Sequence, residues 1–345
     1  LKLAILFGGQ SFEHEISIVS ATTLKEKLSD FELTFIFCDQ DHTLYWIDAT
    51  KMKAQTFSSG AYTKEPLLEV TRGGFIRKKR FGSETLQMPV LNLIHGSDGE
   101  DGTIAGLLDF YNIAYIGPRR DASVFSFDKR YTKYLAKALG VKVLDCEVLH
   151  KGGSRDVSTP FPFIVKPSRL GSSIGVSIVR HADALDYALD VAFEFDESVI
   201  IEPFIEGVKE YNLAGFRAQG AMHYSIVEEP QKSEFLDFDK KYLDFSRSAT
   251  VNEADLDASS VRALQENFAT IYGSMFQGAL IRCDFFLIDG EIYLNEINPI
   301  PGSMANYLFN DFSKAITQLL GDLPPGNKIH VNYQYIHTIS AAKGK

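Results

Sequence analysis

The stretch from Arg282 to Gly302, R-C-D-F-F-L-I-D-G-E-I-Y-L-N-E-I-N-P-I-P-G, constrains this chain more than any other. Two arms rich in apolar and aromatic residues flank an Asp289-Gly290 pair, and a Pro-Gly-rich exit follows, which is the pattern of a β-hairpin. Inside it lie three oxygen-bearing side chains, Asp284, Glu296 and Asn298. Side chains alternate across a strand, so parity decides whether they can act together. A regular two-residue turn puts Asp284 and Glu296 on opposite faces. A three-residue loop or a single bulge puts Arg282, Asp284, Glu296 and Asn298 on one face. Carboxylates and an amide oxygen gathered there are hard ligands suited to Mg²⁺. The competing reading is a solvated face with incidental polar residues. The apolar neighbours of both acids weigh against it, because a buried acid needs a partner.

The chain has 345 residues, enough for two or three domains and a sizeable core. A net charge of -10 argues against nucleic acid or an anionic membrane surface as partner. In so acidic a chain, any polyphosphate site must concentrate its positive charge locally, which makes individual Lys and Arg positions informative. Cys38, Cys146 and Cys283 are few, odd in number and widely spaced. They point to a reducing compartment and offer no metal-ligand spacing. The opening L-K-L-A-I-L-F is too short for the apolar core of a secretory signal, and no stretch is long enough to span a bilayer. The expected location is the cytoplasm.

An α/β unit opens the chain: a buried strand over 3–7, Gly8-Gly9, then a helix from about 16 to 28. The G-x-G-x-x-G dinucleotide fingerprint is absent. In S-F-E-H-E, Glu13 and Glu15 lie beside the helix N-terminus, where carboxylates are favoured for structural reasons and can also hold an ammonium group. Residues 50–88 read as irregular, with the basic run Arg77-Lys78-Lys79-Arg80 on a solvated hairpin or loop. A strand over 90–96 ends at His95, where open α/β sheets place ligands, although a structural histidine fits equally.

A helix over 121–139 carries Lys129. Two strands then flank a loop of small residues at 171–175, with Lys166 closing the first strand. Exposed backbone N–H groups together with Ser172 and Ser173 suit phosphate oxygens, and the alternative is a plain hairpin. The strand 199–205 ends E-P-F-I, resembling an interdomain hinge against which an adenine can lie. Residues 228–250 are polar and aromatic with little regular pattern, as in a lid. A helix over 254–275 precedes the hairpin, a last helix runs over about 304–320, and the tail is strand-like.

Taken together, F-G-G-Q-S-F-E-H-E-I-S at 7–17, H-G-S-D-G-E-D-G at 95–102, F-D-K at 127–129, I-V-K-P-S-R-L-G-S-S-I-G at 164–175, K-Y-L at 241–243 and the hairpin at 282–302 resemble the ATP-grasp superfamily and, within it, the D-alanine–D-alanine ligases. The resemblance covers nearly the whole chain. It implies an α/β ATP-grasp fold, with an N-terminal parallel α/β domain over 1–118 followed by two α+β subdomains, 119–205 and 206–345, clasping ATP. It implies ATP-dependent joining of two D-alanines through an acyl phosphate for peptidoglycan synthesis, with D-alanine–D-lactate or other carboxylate–amine ligation as the alternative.

Residue by residue, the resemblance implies that Glu15 orients the first D-alanine's ammonium with Ser172 and Tyr242, and that His95 lines that subsite. Arg282 and the Gly302 N–H stabilise the oxyanion. Lys129, Lys166 and Lys241 meet the ATP phosphates, Glu202, Pro203, Phe204 and Ile205 the adenine, and Glu210 the ribose. Asp284, Glu296 and Asn298 hold two Mg²⁺, with Mn²⁺ as a substitute. A homodimer is also implied. Two departures stand out: Pro299 replaces the Thr of the familiar N-T-x-P-G, and Tyr307, followed by Leu308, occupies a second-subsite position where a Ser is common.

Overall fold

The computed structural model describes residues 1–79, 81–230, 253–326 and 330–342. Three sheets organise them. The first is built around β1 (Lys2–Gly8), buried from Leu3 onward, as a strand covered on both faces must be. β1 pairs in parallel with β2 (Glu32–Cys38) on one side and β7 (Val90–Asn92) on the other, and β8 (Tyr115–Ile116) lies beyond β7. Helix α1 (His14–Lys27) connects β1 to β2 and buries Ile16, Ile18, Ala21 and Leu24.

Residues 50–88 are more regular than the sequence pattern suggests. After β3 (Leu44–Ile47) and the short α2 (Ala54–Ser58) come β4 (Leu67–Thr71), β5 (Gly74–Lys78) and β6 (Ser83–Leu86). They extend the sheet antiparallel, in the order β6-β5-β4-β3-β2-β1-β7-β8. Their charged composition masks them, and cross-strand pairing neutralises it. Lys78 pairs with Glu69 and Arg77 with Glu84, while the Arg77 guanidinium lies 4.3 Å over the Trp46 ring. The start of the basic run therefore lies on the β5–β6 hairpin, one of the two settings expected for it.

Helix α3 (Thr103–Phe110) connects β7 to β8. The single helix expected over 121–139 is two, α4 (Arg120–Phe127) and α5 (Lys129–Ala138). The break falls at Asp128, whose extended backbone leaves the helix and whose carboxylate accepts the Arg130 N–H at 2.9 Å as an N-cap. The second sheet follows: β9 (Glu147–His150), β10 (Phe163–Pro167), β11 (Ser177–Val179) and β12 (Ser198–Pro203), in the order β11-β10-β12-β9. Helix α6 (Leu185–Phe193) closes its core with Ala188, Leu189 and Ala192 against Phe163, Val165, Val199 and Ile201.

The third sheet contains β13 (Lys209–Ala218), β14 (Ala221–Glu228), β15 (Ile281–Ile288) and β16 (Glu291–Asn298), in the order β14-β13-β15-β16. Helix α7 (Ala258–Tyr272) packs Leu264, Phe268, Ile271 and Tyr272 on one face. On the other, Ala214, Phe216 and Ala218 share one core with Leu3, Ile5 and Phe7 of β1 and with Ile316 and Leu319 of α8 (Phe312–Gly321). The first and third sheets are thus joined through packed side chains. The tail, read as strand-like, carries the short helix α9 (Ile336–Ala342).

The hairpin meets its parity condition by a bulge. Ile288 pairs with Glu291, so the turn has two residues, Asp289 and Gly290, with φ of 51° and 79°, the geometry of a type I′ turn. Further along, Phe285 faces Leu294 but Asp284 faces Glu296. Asn295 is the inserted residue. Beyond it Arg282 faces Asn298, and all four polar side chains share a face. Deleting Asn295 should remove the bulge yet keep Glu296 opposite Asp284, because Phe285–Leu294 and Asp284–Glu296 then become successive pairs of a regular ladder. Calorimetric titration with Mg²⁺ in the presence of a nucleotide should then show affinity within about 3-fold of the parent, with far-ultraviolet circular dichroism retained; a loss of about 10-fold or more would contradict the shared face.

Candidate active site

The bulged hairpin presents a tightly bonded acidic group. Arg282 donates to Asp284 through Nε at 2.7 Å and Nη2 at 2.8 Å, and Asn298 Nδ2 donates to Asp284 Oδ2 at 3.0 Å. Burial pushes the Asp284 carboxyl up and the Glu296 charge adds to this, while Arg282 and Asn298 pull it down. Two carboxylates and an amide oxygen form a partial shell. Among the described residues, no group of three or more His, Cys, Asp or Glu side chains is gathered to hold a metal. The donor set therefore fits a Mg²⁺-like ion that completes its coordination with phosphate oxygens and water, and whose charge relieves the repulsion between the two acids.

Facing this group across the cleft is a buried cationic cluster. Glu202 on β12 lies between Lys166 on β10, at 2.7 Å, and Lys133 on α5. Burial alone would raise Glu202; the two ammonium groups overcome it and bring it down to about 2. Lys133 Nζ also donates to the Leu144 carbonyl at 2.8 Å. Burial opposes the Lys166 charge, but Glu202, Glu296 and Glu210 outweigh it and raise its pKa. Lys166 thus lies between the second and third sheets. Lys129, one helical turn before Lys133, donates to the Leu170 carbonyl at the foot of the 171–175 loop. The Glu202 carboxylate is engaged by lysines and the Phe204 N–H donates to the Pro162 carbonyl at 3.0 Å. The Glu202 side chain is thus committed to the lysines rather than to the adenine that the resemblance implies beside 202–205.

The third group corrects one expectation. Glu15 lies on the exposed side of α1, whereas Glu13, two residues earlier, is 6% exposed and reaches into the cleft. Glu13 Oε1 accepts from Ser172 Oγ at 2.6 Å, and Oε2 is buried without a partner among the described residues. Two glycines frame this carboxylate: a Cβ on Gly171 would stand 2.9 Å from Oε1, and one on Gly96, at φ +72°, 2.8 Å from Oε2. Burial raises the Glu13 pKa; Ser172 and Lys129 lower it and Glu296 raises it. Glu100, whose Oε2 accepts the Gly96 N–H at 3.1 Å, is raised well above the usual range by burial and then by Glu13.

His95 is buried beside Glu100, its Nε2 3.1 Å from Ser20 Oγ, and burial lowers its pKa to about 4. Its ring is therefore neutral near pH 7.

The segment expected to begin the last helix is instead a turn, Gly302–Leu308. Ser303, Met304 and Ala305 there have left-handed backbones with φ of 46°, 54° and 47°. Tyr307 follows, its hydroxyl 3.4 Å from Glu228 Oε2 and within the field of Arg282. About a third of the residue is exposed, and burial of its hydroxyl pushes the pKa up to about 12. The Leu308 side chain belongs to the shared core, which leaves only its backbone for a ligand. Lys241 and Tyr242 lie outside the described residues. Sequence reasoning assigned no role to Glu100, Lys133 or Ser20. Glu100 lies inside the H-G-S-D-G-E-D-G motif and Lys133 is one turn from Lys129, so both had a local signal.

Three sheets around a cleft, with an acidic hairpin opposite buried lysines and a small-residue loop, are the architecture of an ATP-grasp enzyme. Family models described as D-ala D-ala ligase N-terminus and D-ala D-ala ligase C-terminus match residues 2–118 and 135–317. The D-alanine–D-alanine ligase of Sulfurimonas denitrificans is 62% identical over 345 residues, covering all of both chains, and that of Wolinella succinogenes is 54% identical, again over the whole of both. The crystal structure of D-alanine–D-alanine ligase from Helicobacter pylori superposes with a TM-score of 0.85 at 46% identity, covering 95% of this chain and 100% of the other. The chain belongs to the D-alanine–D-alanine ligase family.

The Glu13–Glu100 pair has a measurable consequence. A carboxyl whose folded-state pKa lies above its unfolded value stabilises the fold while protonated. That contribution is complete below the ordinary carboxylate range and is lost as pH rises through the raised value. Glu100→Gln should therefore raise the unfolding midpoint of the ligand-free protein at about pH 8 and do so far less at about pH 4.5. Scanning calorimetry checks this; a lowered midpoint at both would contradict the assigned repulsion.

Proposed function

We infer that this cleft joins two D-alanines to D-alanyl-D-alanine at the expense of ATP, forming ADP and phosphate. The observation that carries the roles is the Glu13–Ser172 contact. Two sheets bring a buried carboxylate and a hydroxyl together, frame them with glycines, and leave one carboxylate oxygen unsatisfied among the described residues. Such an oxygen suits an ammonium group. Glu13, in place of Glu15, then orients the first D-alanine, with Ser172 fixing the carboxylate and Tyr242 assisting from the 228–250 segment.

Lys129, Lys166 and Lys241 hold the ATP phosphates, and Glu202 keeps Lys166 charged and in place. Pro203, Phe204 and Ile205 border the adenine and Glu210 the ribose. Asp284, Glu296 and Asn298 hold divalent cations, two Mg²⁺ in this reading, which neutralise phosphate charge when bound. The carboxylate of the first D-alanine attacks the γ-phosphorus and ADP leaves. The amine of the second attacks the acyl carbonyl, and the tetrahedral intermediate collapses with loss of phosphate.

Catalysis of this kind rests on positioning and charge neutralisation. Arg282 has more N–H donors than Asp284 takes, so it meets the oxyanion together with the Gly302 N–H. Its attachment to Asp284 couples oxyanion stabilisation to the metal ligands. His95 lines the first subsite as a neutral ring, and Tyr307 with the Leu308 backbone borders the second.

The three sheets support a division into units 1–118, 119–205 and 206–345, and the cytoplasm is the proposed location. No helix among the described residues is long and apolar enough to cross a membrane. A homodimer completes the reading. The D-Ala:D-Ser ligase VanG of Enterococcus faecalis, 25% identical with a TM-score of 0.73 and covering 93% of this chain and 97% of its own, marks the alternative of a different second substrate.

Phosphate release with ATP, Mg²⁺ and D-alanine, compared with added D-serine or D-lactate, tests this choice; D-alanine alone should suffice and give the dipeptide. ATP binding without turnover would sink the ligase reading. Glu13→Gln should lower kcat/KM for D-alanine by about 100-fold or more, because the ammonium loses a buried charged partner, while Glu15→Gln should change it less than about 2-fold. The reverse order would return the role to Glu15. Glu296→Gln should reduce turnover at fixed Mg²⁺ by orders of magnitude with the fold intact, and unchanged turnover would remove Glu296 from the metal site.

A further inference from the structure

The turn at Gly302–Leu308 is costly. Three consecutive L-residues, Ser303, Met304 and Ala305, hold left-handed backbones, in which Cβ crowds the following carbonyl oxygen. Such a conformation persists only where its surroundings over-determine it. Two of its hydrogen bonds close locally: Met304 N–H to the Pro301 carbonyl at 2.7 Å and Asn306 Nδ2 to the Ser303 carbonyl at 2.9 Å. A third leaves the turn. The Ser303 N–H donates to Ser20 Oγ at 3.0 Å, across 283 residues of chain.

Ser20 lies on α1 and is fully buried. Its Oγ is also 3.1 Å from His95 Nε2. That oxygen accepts from Ser303 and keeps its proton and a second lone pair, either of which completes the bond to Nε2 of the neutral ring. The Ile300 backbone, two residues before Gly302, lies against the same ring and works against the effect of its burial. One hydroxyl therefore connects the ring that lines the first subsite to the strained turn that carries the second.

We propose that Ser20 is a positioning residue for the second half of the reaction: it locks the Gly302–Leu308 turn to His95, so that acyl transfer to the second D-alanine depends on it while acyl phosphate formation does not. This rests on the ligase reading above. Of the groups assigned to the first D-alanine only the His95 ring touches Ser20, and it stays buried beside Glu100; Glu13, Ser172, Lys129 and Lys166 do not touch it, so activation of the first D-alanine keeps its charged machinery when the hydroxyl is removed. Gly302 and Tyr307 do lose an anchor, because an unsatisfied Ser303 N–H lets the turn relax toward right-handed backbone.

The test separates the two halves. Hydroxylamine intercepts an acyl phosphate: its nitrogen bonds to the carbonyl carbon, the carbon–oxygen bond to phosphate breaks, and the hydroxamate, phosphate and a proton are released. It carries no carboxylate and does not need the second subsite's recognition of one. Ser20→Ala should keep D-alanine-dependent hydroxamate formation within about 3-fold of the parent, and should raise the apparent KM for the second D-alanine by about 10-fold or more, as for loss of a buried hydrogen bond that leaves partners unsatisfied.

Ser17→Ala is the matched control. Ser17 is also fully buried on α1 and bonded to distant backbone, donating to the Leu93 carbonyl at 2.7 Å and accepting from the Gly8 N–H at 2.8 Å. It should cost stability without splitting the half-reactions. If Ser20→Ala does not fold, Ser20→Cys, nearly isosteric with a weak donor, carries the same comparison. Equal loss in both assays, no loss in either, or the same split in Ser17→Ala would overturn the proposal. No D-alanine-dependent phosphate release from the parent protein would overturn the ligase reading instead.

Discussion

Buried carboxylate charge is the constraint on which this structure depends. Glu13, Glu100, Glu202, Glu210, Asp284 and Glu296 converge on one cleft, and among the described residues Lys129, Lys133, Lys166 and Arg282 answer them. The acids are not equivalent. Glu202 and Asp284 are held by cations in direct contact, and Glu202 is ionised over the whole physiological range. Glu13 and Glu100 are held mainly by hydroxyl and amide donors, and burial raises both. An uncompensated buried acid is expensive in the ligand-free protein and favourable once an ammonium group or metal ion arrives. The cleft is therefore stabilised by the charges of what it binds, which is how an acidic chain accommodates a polyphosphate and two amino acids.

Packing sets where those charges meet. The first and third sheets share a core that runs from Leu3 and Phe7 to Phe216, Met304 and Ile316. The Gly302–Leu308 turn is thus fixed against α1 as firmly as against its own sheet. The second sheet is attached differently, with its own core around Phe163 and Val199. It meets the N-terminal segment through Glu13–Ser172 and an edge-to-face contact of Phe12 with Phe195 at 5.2 Å. Its contacts with the first sheet are fewer and more polar, so movement of the Ser172 loop disturbs less packing than movement of the Gly302 turn.

Much of this was legible in the chain. The hairpin's parity argument required either a longer loop or a bulge, and the structure supplies the bulge at Asn295. The strands carrying Lys166 and Glu202 follow from their apolar runs. Other features were not legible. Strands β4–β6 carry too many charges for their pattern to stand out until Arg77, Lys78, Glu69 and Glu84 pair across them. The break at Asp128 looks like continuous helix until its capping bond is seen. The choice between Glu13 and Glu15 turned on where α1 begins and which way its first turn faces, a boundary that local pattern locates poorly.

By itself the sequence determined which chemistry is available: the hard ligands of the hairpin, the lysines at strand and helix ends, the glycines and serines of the loops, and the family to which their order points. Tertiary structure decided which of them meet. Glu13 touches Ser172 across 159 residues and Ser303 touches Ser20 across 283, contacts that no local pattern encodes, because they exist only once separate sheets are packed and their polar groups must find partners away from water. The same reason returns Arg282–Gly302 to its place. The residues of the hairpin supplied the ligands, but the inserted Asn295 and the register against β15 turned them to one side.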